Sequence, residues 1–224
     1  MSYDEKREDL VQQLINRRVL TKKEVIDAML KVPRHKFLPK EATSSAYIDS
    51  PISIGLGQTI SAPHMNAMMC ELLDLREGDK ILEVGTGSGY HAALCAEIIA
   101  PPNSKNPGHV YSIERHKKLA DKARKNLELT GYDKYVTVIY GDGTLGYSEQ
   151  APYDKILVTA ASPKKIPQPL KDQLKDGGII CIPAGSREFA QNLYIIHKQG
   201  KDYKVDKITG VRFVSLIGEH GWPE

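Results

Sequence analysis

The sequence predicts an α/β fold: a doubly wound parallel sheet with a helical addition at its N-terminal end and antiparallel strands at its C-terminal edge. Three observations carry this expectation. Short apolar strands alternate with helical patterns across residues 80–183. The first strand, holding Ile81, Leu82 and Val84, breaks into Gly85-Thr86-Gly87-Ser88-Gly89 and then into a helix-forming run from Tyr90. Beyond Pro183, β-rich stretches at 192–197, 203–208 and 210–216 follow without helical spacers and read as antiparallel edge strands.

Composition narrows the class. The 224 residues suffice for one good-sized core, and 41% hydrophobic with 26% charged residues describes a soluble globular chain. No apolar run approaches a membrane span, and the opening Met-Ser-Tyr-Asp-Glu-Lys-Arg has no signal-peptide character. A net charge of +3 falls short of a nucleic-acid footprint, because Lys and Arg are interleaved with Asp and Glu. Cys70, Cys95 and Cys181 are far apart in sequence and set among apolar residues, which predicts buried free thiols, no metal and a cytoplasmic location.

Taken in order, residues 4–31 read as two helices. Leu10, Leu14 and Ile15 recur at helical spacing beside Val11; in the second helix Thr21 and Glu24 have capping-box spacing ahead of Val25, and Pro33 stops it. Residues 33–64 are dense in Pro, Gly and Ser yet keep Tyr47, Ile48, Ile52, Ile54 and Ile60, the composition of an ordered loop laid on the core as a lid. A helix over residues 63–73 leads into the central strand. The second strand is 109–114, followed by an amphipathic helix over 117–130. Residues 135–140 and 153–159 form the third and fourth strands, 170–174 belong to the next helix, and 178–183 form the fifth strand.

Ligands of such sheets sit outside the carboxyl ends of the strands. Three features fall there: the Gly85–Gly89 turn, Glu114, and Gly141-Asp142-Gly143. The glycines follow G-x-G-x-G, and the third glycine of the dinucleotide fingerprint would fall at Tyr90. With Glu83 before it, the turn is similar to the S-adenosylmethionine loop of Rossmann-like methyltransferases. Glu114 stands about 25 residues beyond the turn, near the spacing at which an acid accepts hydrogen bonds from a ribose diol. Asp142 is placed to accept from an adenine amino group while Gly143 keeps the backbone close. A Walker lysine is absent, which disfavours phosphoryl transfer.

With these residues assembled, the chain resembles the protein-L-isoaspartate (D-aspartate) O-methyltransferase family over nearly its whole length. The resemblance runs through Arg34-His35-Lys36-Phe37, Gln58-Thr59-Ile60-Ser61-Ala62-Pro63-His64, residues 82–90, Gly141-Asp142-Gly143, Pro152-Tyr153-Asp154 and Arg212-Phe213-Val214. It implies a Rossmann-like class I methyltransferase fold in one domain. Residues 1–75 would supply helices and the substrate lid, 76–190 the cofactor core, and 191–224 the C-terminal strands.

The implied reaction moves a methyl group from S-adenosyl-L-methionine to the free α-carboxylate of L-isoaspartyl residues in damaged proteins and peptides; activity on D-aspartyl residues is left open. The resemblance makes Ser61 the active-site residue. Cofactor contacts fall on Thr59, His64, Glu83, Gly85, Thr86, Gly87, Ser88, Gly89, Glu114, Asp142 and Gly143. Substrate contacts fall on Thr59, Ile60, Ser61, His64, Val214 and Ser215. A monomer is implied, with no metal, nucleic-acid or membrane partner. Ser215 replaces a proline of the family pattern, and His91 a glutamine.

Two other functions compete. A nucleic-acid methyltransferase of this fold would carry an Asn/Asp-Pro-Pro-aromatic motif after the fourth strand, where Thr159-Ala160-Ala161-Ser162-Pro163 offers no aromatic to stack a flipped base. A non-catalytic nucleotide-binding protein would not need the full set of cofactor-facing residues together with Ser61.

Overall fold

The computed structural model describes residues 1–187 and 190–224. Helices α1 (Tyr3–Asn16) and α2 (Lys23–Lys31) open the chain and bury Leu10, Val11, Leu14, Val25, Ala28 and Met29, the stripe expected from their spacing. The capping box expected at Thr21 and Glu24 does not form. Glu71 of helix α3 (Pro63–Leu73) instead accepts from Thr21 N (2.9 Å), Thr21 Oγ1 (2.7 Å) and Lys22 N (2.7 Å). A full carboxylate from a packed neighbour is a stronger acceptor than a local hydroxyl, so the tertiary contact displaces the local cap.

The 33–64 stretch is ordered, as expected, but it is not featureless. It contains single helical turns at Arg34–Phe37 and Lys40–Ser45 and a hairpin of β1 (Ile52–Gly55) and β2 (Gln58–Ile60). Phe37, Leu38, Ala46, Ile54 and Ile60 are buried and pin it to the core.

Next come β3 (Lys80–Val84), α4 (Tyr90–Ile99), β4 (His109–Glu114), α5 (Lys117–Thr130), β5 (Val136–Tyr140), β6 (Tyr153–Val158), α6 (Gln168–Asp172), β7 (Leu174–Gly185), β8 (Gln191–Gln199) and β9 (Asp202–Val211). The main sheet has the order β5-β4-β3-β6-β7-β8-β9. Its pairs are parallel from β5 through β7, and β8 and β9 add antiparallel to the edge. Because β4 and β5 lie on one side of β3 and β6 on the other, the topological switch falls between β3 and β6.

Alternate residues of each strand feed two cores. Ile81, Val110, Leu157, Cys181 and Ile195 pack with the helices α1–α5 on one face. Leu82, Ile113, Ile156, Ile180 and Ile196 pack with Leu170, Tyr153 and Leu216 on the other. Both faces are covered, though unevenly: among the described residues the short α6, single turns and the C-terminal segment lie on the second.

Two boundaries differ from expectation. Leu174 begins β7, pairing with Tyr153, because the chain leaves α6 directly alongside β6. The expected third edge strand at 210–216 is absent. Gly210 and Val211 complete β9, and the chain then turns across the strand ends, where Ala161 N donates to Val214 O (2.7 Å) and Leu216 N to Ala161 O (2.8 Å). Its backbone groups are satisfied beyond β6, so it is not needed at the edge.

Glu71→Ala should cost about 1–2 kcal/mol, as loss of a helix cap does, read as a lower urea midpoint at unchanged m. Loss of stability in Glu24→Ala with none in Glu71→Ala would restore the local cap.

Candidate active site at the strand ends

The carboxyl ends of β3, β4, β5 and β6 meet around a narrow inner cleft lined by Thr59, Gly85, Gly87, Glu114, Gly143, Thr159, Val214 and Ser215, among others. The turn after β3 is shaped by hydrogen bonds from its neighbours. Gly85 N and Thr86 N both donate to Ile113 O (2.8 and 3.2 Å). Glu114 braces it further: Oε2 accepts from Gly87 N (2.9 Å) and Oε1 from His116 N at the start of α5 (2.8 Å). Gly87 has φ +55°, a left-handed conformation that a side chain strains. Gly143 is required for space, since a Cβ there would overlap the Val84 side chain.

The remaining predicted cofactor residues divide. Thr86, Ser88 and Gly89 shape the turn from behind. Thr86 Oγ1 pairs with Ser112 Oγ (2.5 Å), Ser88 O accepts from Asn126 Nδ2 (2.9 Å), and Gly89 packs against Leu127. Glu83 points into the core, away from the cleft, where its Oε2 accepts from Ser112 Oγ. Burial pushes its carboxyl up to about 7, against the opposing pull of His91 and the Ser112 hydroxyl. A direct contact of its carboxylate with cofactor is therefore not supported. Asp142 also departs from expectation. Its Oδ1 accepts from Thr144 N (2.8 Å) and Thr144 Oγ1 (2.7 Å), and its Oδ2 from Glu219 N (2.8 Å), so the carboxylate serves the turn and the C-terminal segment; Gly143 alone lines the cleft.

Beside the inner cleft lies an outer cavity of about 840 Å³, sharing Thr59, Thr159 and Val214 with it. Ser61 and His64 line this cavity with Arg212 and Phe213. Ile60 does not: it is 5% exposed, pairs with Ile52 across the hairpin and sends its side chain into the core. Ser215 lines only the inner cleft.

Three residues to which sequence reasoning gave no role hold the site together. Thr159, at the end of β6, lines both spaces, and its Oγ1 donates to Gly85 O at 2.7 Å. Its place after the fourth strand was the available signal. Asp49 holds His64, accepting on Oδ1 from His64 N (2.9 Å) and from His64 Nδ1 (2.8 Å), and on Oδ2 from Arg17 Nη1 (2.6 Å). With the Nδ1 proton facing Asp49, Nε2 of His64 is the nitrogen left for a ligand. Burial works against ionisation of Asp49, but donors from His64 and Arg17 outweigh it and hold the carboxyl below its ordinary range.

Arg34 is the third. It is wholly buried, donating from Nε to Ala46 O (2.9 Å), from Nη1 to Asn66 Oδ1 (3.2 Å) and from Nη2 to Ser61 O (2.8 Å). Tyr90 covers its guanidinium at 5.0 Å. No local pattern in the sequence marks this set of partners.

The donor set suits a nucleoside-bearing cofactor at the glycine turn: a carboxylate braced by backbone N–H groups beside a turn whose glycines leave the cleft wall without side chains. The inner cleft, at about 60 Å³, is nevertheless narrower than such a ligand. Gln58 and Thr59 of the hairpin and residues 214–217 are among the cleft's walls.

The family model for protein-L-isoaspartate (D-aspartate) O-methyltransferase matches residues 5–221. The chain belongs to that family. A protein-L-isoaspartate O-methyltransferase of Hyperthermus butylicus is 52% identical over 99% of this chain and 92% of its own. Protein-L-isoaspartate O-methyltransferase 2 of Archaeoglobus fulgidus is 53% identical over 99% and 97%. Among solved structures, a candidate enzyme of the same name from Plasmodium falciparum, in complex with S-adenosyl-L-homocysteine, superposes with a TM-score of 0.83 at 29% identity, covering 94% of this chain and 98% of that one. Among the described residues, no helix of this isoaspartyl methyltransferase family member is long and apolar enough to cross a membrane, and all three cysteines are free and buried.

The lowered pKa of Asp49 makes a signed prediction. A carboxyl depressed by folding adds stability that is complete above the unfolded pKa, about 3.9, and is lost as pH falls through the folded value. Asp49→Asn should therefore be less stable than wild type at pH 7, with the gap closing below about pH 4. A gap that stays constant across denaturant titrations from pH 7 to pH 3 would show that Asp49 does not titrate with folding.

Proposed function

We propose that the chain is an S-adenosylmethionine-dependent carboxyl methyltransferase that esterifies the free α-carboxylate of L-isoaspartyl residues in damaged proteins and peptides. The observation that carries this reading is the pairing of two spaces through Thr59, Thr159 and Val214: a glycine-and-Glu114 cleft for the donor, and a peptide-sized outer cavity with Ser61 and His64 on its wall. In the same reading residues 1–75 bring the substrate lid, 76–190 the donor cleft and 191–224 the edge strands. The chain works as a cytoplasmic monomer.

S-adenosylmethionine, when bound, supplies an electrophilic methyl group on a sulfonium. The chain's own residues then have a positioning task. An isoaspartyl α-carboxylate, with a reference pKa near that of an ordinary carboxyl terminus (about 3.5), is ionised near neutral pH and needs no base. Ser61 Oγ donates one hydrogen bond to the acceptor without bringing charge, and His64, fixed by Asp49, offers Nε2 beside it. Glu114 receives the ribose hydroxyls and keeps the glycine turn in shape. Alignment and exclusion of water together account for much of the acceleration such a transfer needs, with proximity alone worth roughly 7–11 kcal/mol.

Selectivity tests the reading. Given labelled S-adenosylmethionine, the protein should methylate an isoaspartyl peptide and leave its normal-aspartyl twin and a nucleic acid essentially unmodified, because the aspartyl chain would leave polar groups of the cavity unpaired. Equal kcat/KM for the two peptides would reduce the assignment to an unspecific carboxyl methyltransferase.

Two variants separate the roles. Ser61→Ala should depress methyl transfer with donor affinity nearly intact, while Glu114→Ala should weaken donor and demethylated product alike, by about 1.5–3 kcal/mol, as expected for lost hydrogen bonds to a charged group. Calorimetry and steady-state kinetics giving the opposite pattern would exchange the two assignments.

A further inference from the structure

Behind the glycine turn, on the helical face of the sheet, two thiols and an imidazole converge. Cys70 lies on α3; His91 and Cys95 lie one turn apart on α4 and so share one of its faces. They are 0%, 6% and 0% exposed. Their ligand atoms all fall within 4.8 Å of one another. Cys70 Sγ is 3.5 Å from His91 Nε2. Bond lengths of zinc to thiolate and imidazole set a tetrahedral sulfur–nitrogen edge of roughly 3.5 Å.

Two further observations point to the same place. Among the described residues, Nδ1 of His91 and Oε1 of Glu83 are buried side-chain atoms with no hydrogen-bond partner. A histidine bound to metal through Nε2 carries its proton on Nδ1, and Nε2 is the nitrogen that His91 turns toward Cys70. Two thiolates also balance the charge of a divalent cation, which a site sealed from water requires. Cys181, also wholly buried, interacts electrostatically with both Cys70 and Cys95.

We propose that Cys70, His91 and Cys95 form a structural zinc site that clips α3 to α4. The clip has a mechanical consequence. Helix α3 starts in the Ser61–His64 segment and α4 starts at the glycine turn, so one ion ties the helix behind the substrate wall to the helix behind the donor cleft. The expectation of no metal rested on separation along the chain; Cys70 is 21 residues from His91, and only the packing of the two helices brings them together. The inference is independent of the methyltransferase reading and stands or falls without it.

The test uses the full chain expressed in zinc-supplemented medium. Elemental analysis after dialysis against a chelator should find zinc in stoichiometric amount, released on denaturation. Refolding with cobalt(II) in its place should give thiolate-to-cobalt charge transfer and tetrahedral ligand-field absorption. His91→Gln should remain folded by circular dichroism and bind zinc at least about tenfold more weakly. The double variant Cys70→Ser, Cys95→Ser should lose both the metal and the cobalt spectrum. Trace zinc together with an octahedral cobalt spectrum in wild type would overturn the proposal. So would metal content unchanged in both variants, or a Cys70–Cys95 disulfide found by mass spectrometry in the protein as isolated.

Discussion

A guanidinium sealed from water sits where three segments of the substrate side meet. Arg34 carries its charge inside the protein with, among the described residues, no carboxylate in its hydrogen-bond set; the oxygens of Ala46, Ser61 and Asn66 and the face of Tyr90 replace its hydration. Burial of a charge is tolerated only when the surrounding dipoles are held in place. The requirement is mutual. The helical turn at Arg34–Phe37, the loop ending at Ala46, helix α3 and the Ser61 backbone can each hold position because the same cation bonds them. Ser61 reaches the outer cavity from the short link between β2 and α3, and His64 from the first turn of α3.

The donor side is built on a related economy of carboxylates. Glu114 satisfies two main-chain N–H groups and Asp142 satisfies donors from its own turn and from the C-terminal segment. These acids shape the strand ends by pairing with backbone N–H groups of the turns that hold left-handed glycines. Glu114 thus presents to the cleft a carboxylate already oriented by two backbone donors. At Asp142 the same satisfaction removes the group from the cleft.

Much of the fold was legible because its signals are local. The buried strands announce themselves as apolar runs, α5 by a single apolar stripe, and the turn after β3 by glycines that adopt positive φ. Glu114 was legible because it ends a strand whose neighbours also end in ligand-facing features. The 210–216 stretch misled for a corresponding reason. Its composition is that of a strand, but pairing is decided by which backbone groups remain open, and those lie at Ala161. The Thr21–Glu24 cap failed likewise, outbid by an acid 50 residues away.

By itself the sequence determined the order and type of most elements and the placement of a glycine turn and an acid at the carboxyl ends of adjacent strands. These follow from periodicity and from residues whose conformational or chemical properties are their own. The tertiary structure alone decided which acids face the cleft and which brace loops, that Asp49 orients His64, that Arg34 anchors Ser61, and that Cys70 meets His91 and Cys95. Each of those depends on the direction of a side chain relative to a segment far away in sequence. That direction is set by how helices pack on the sheet, which no local pattern encodes.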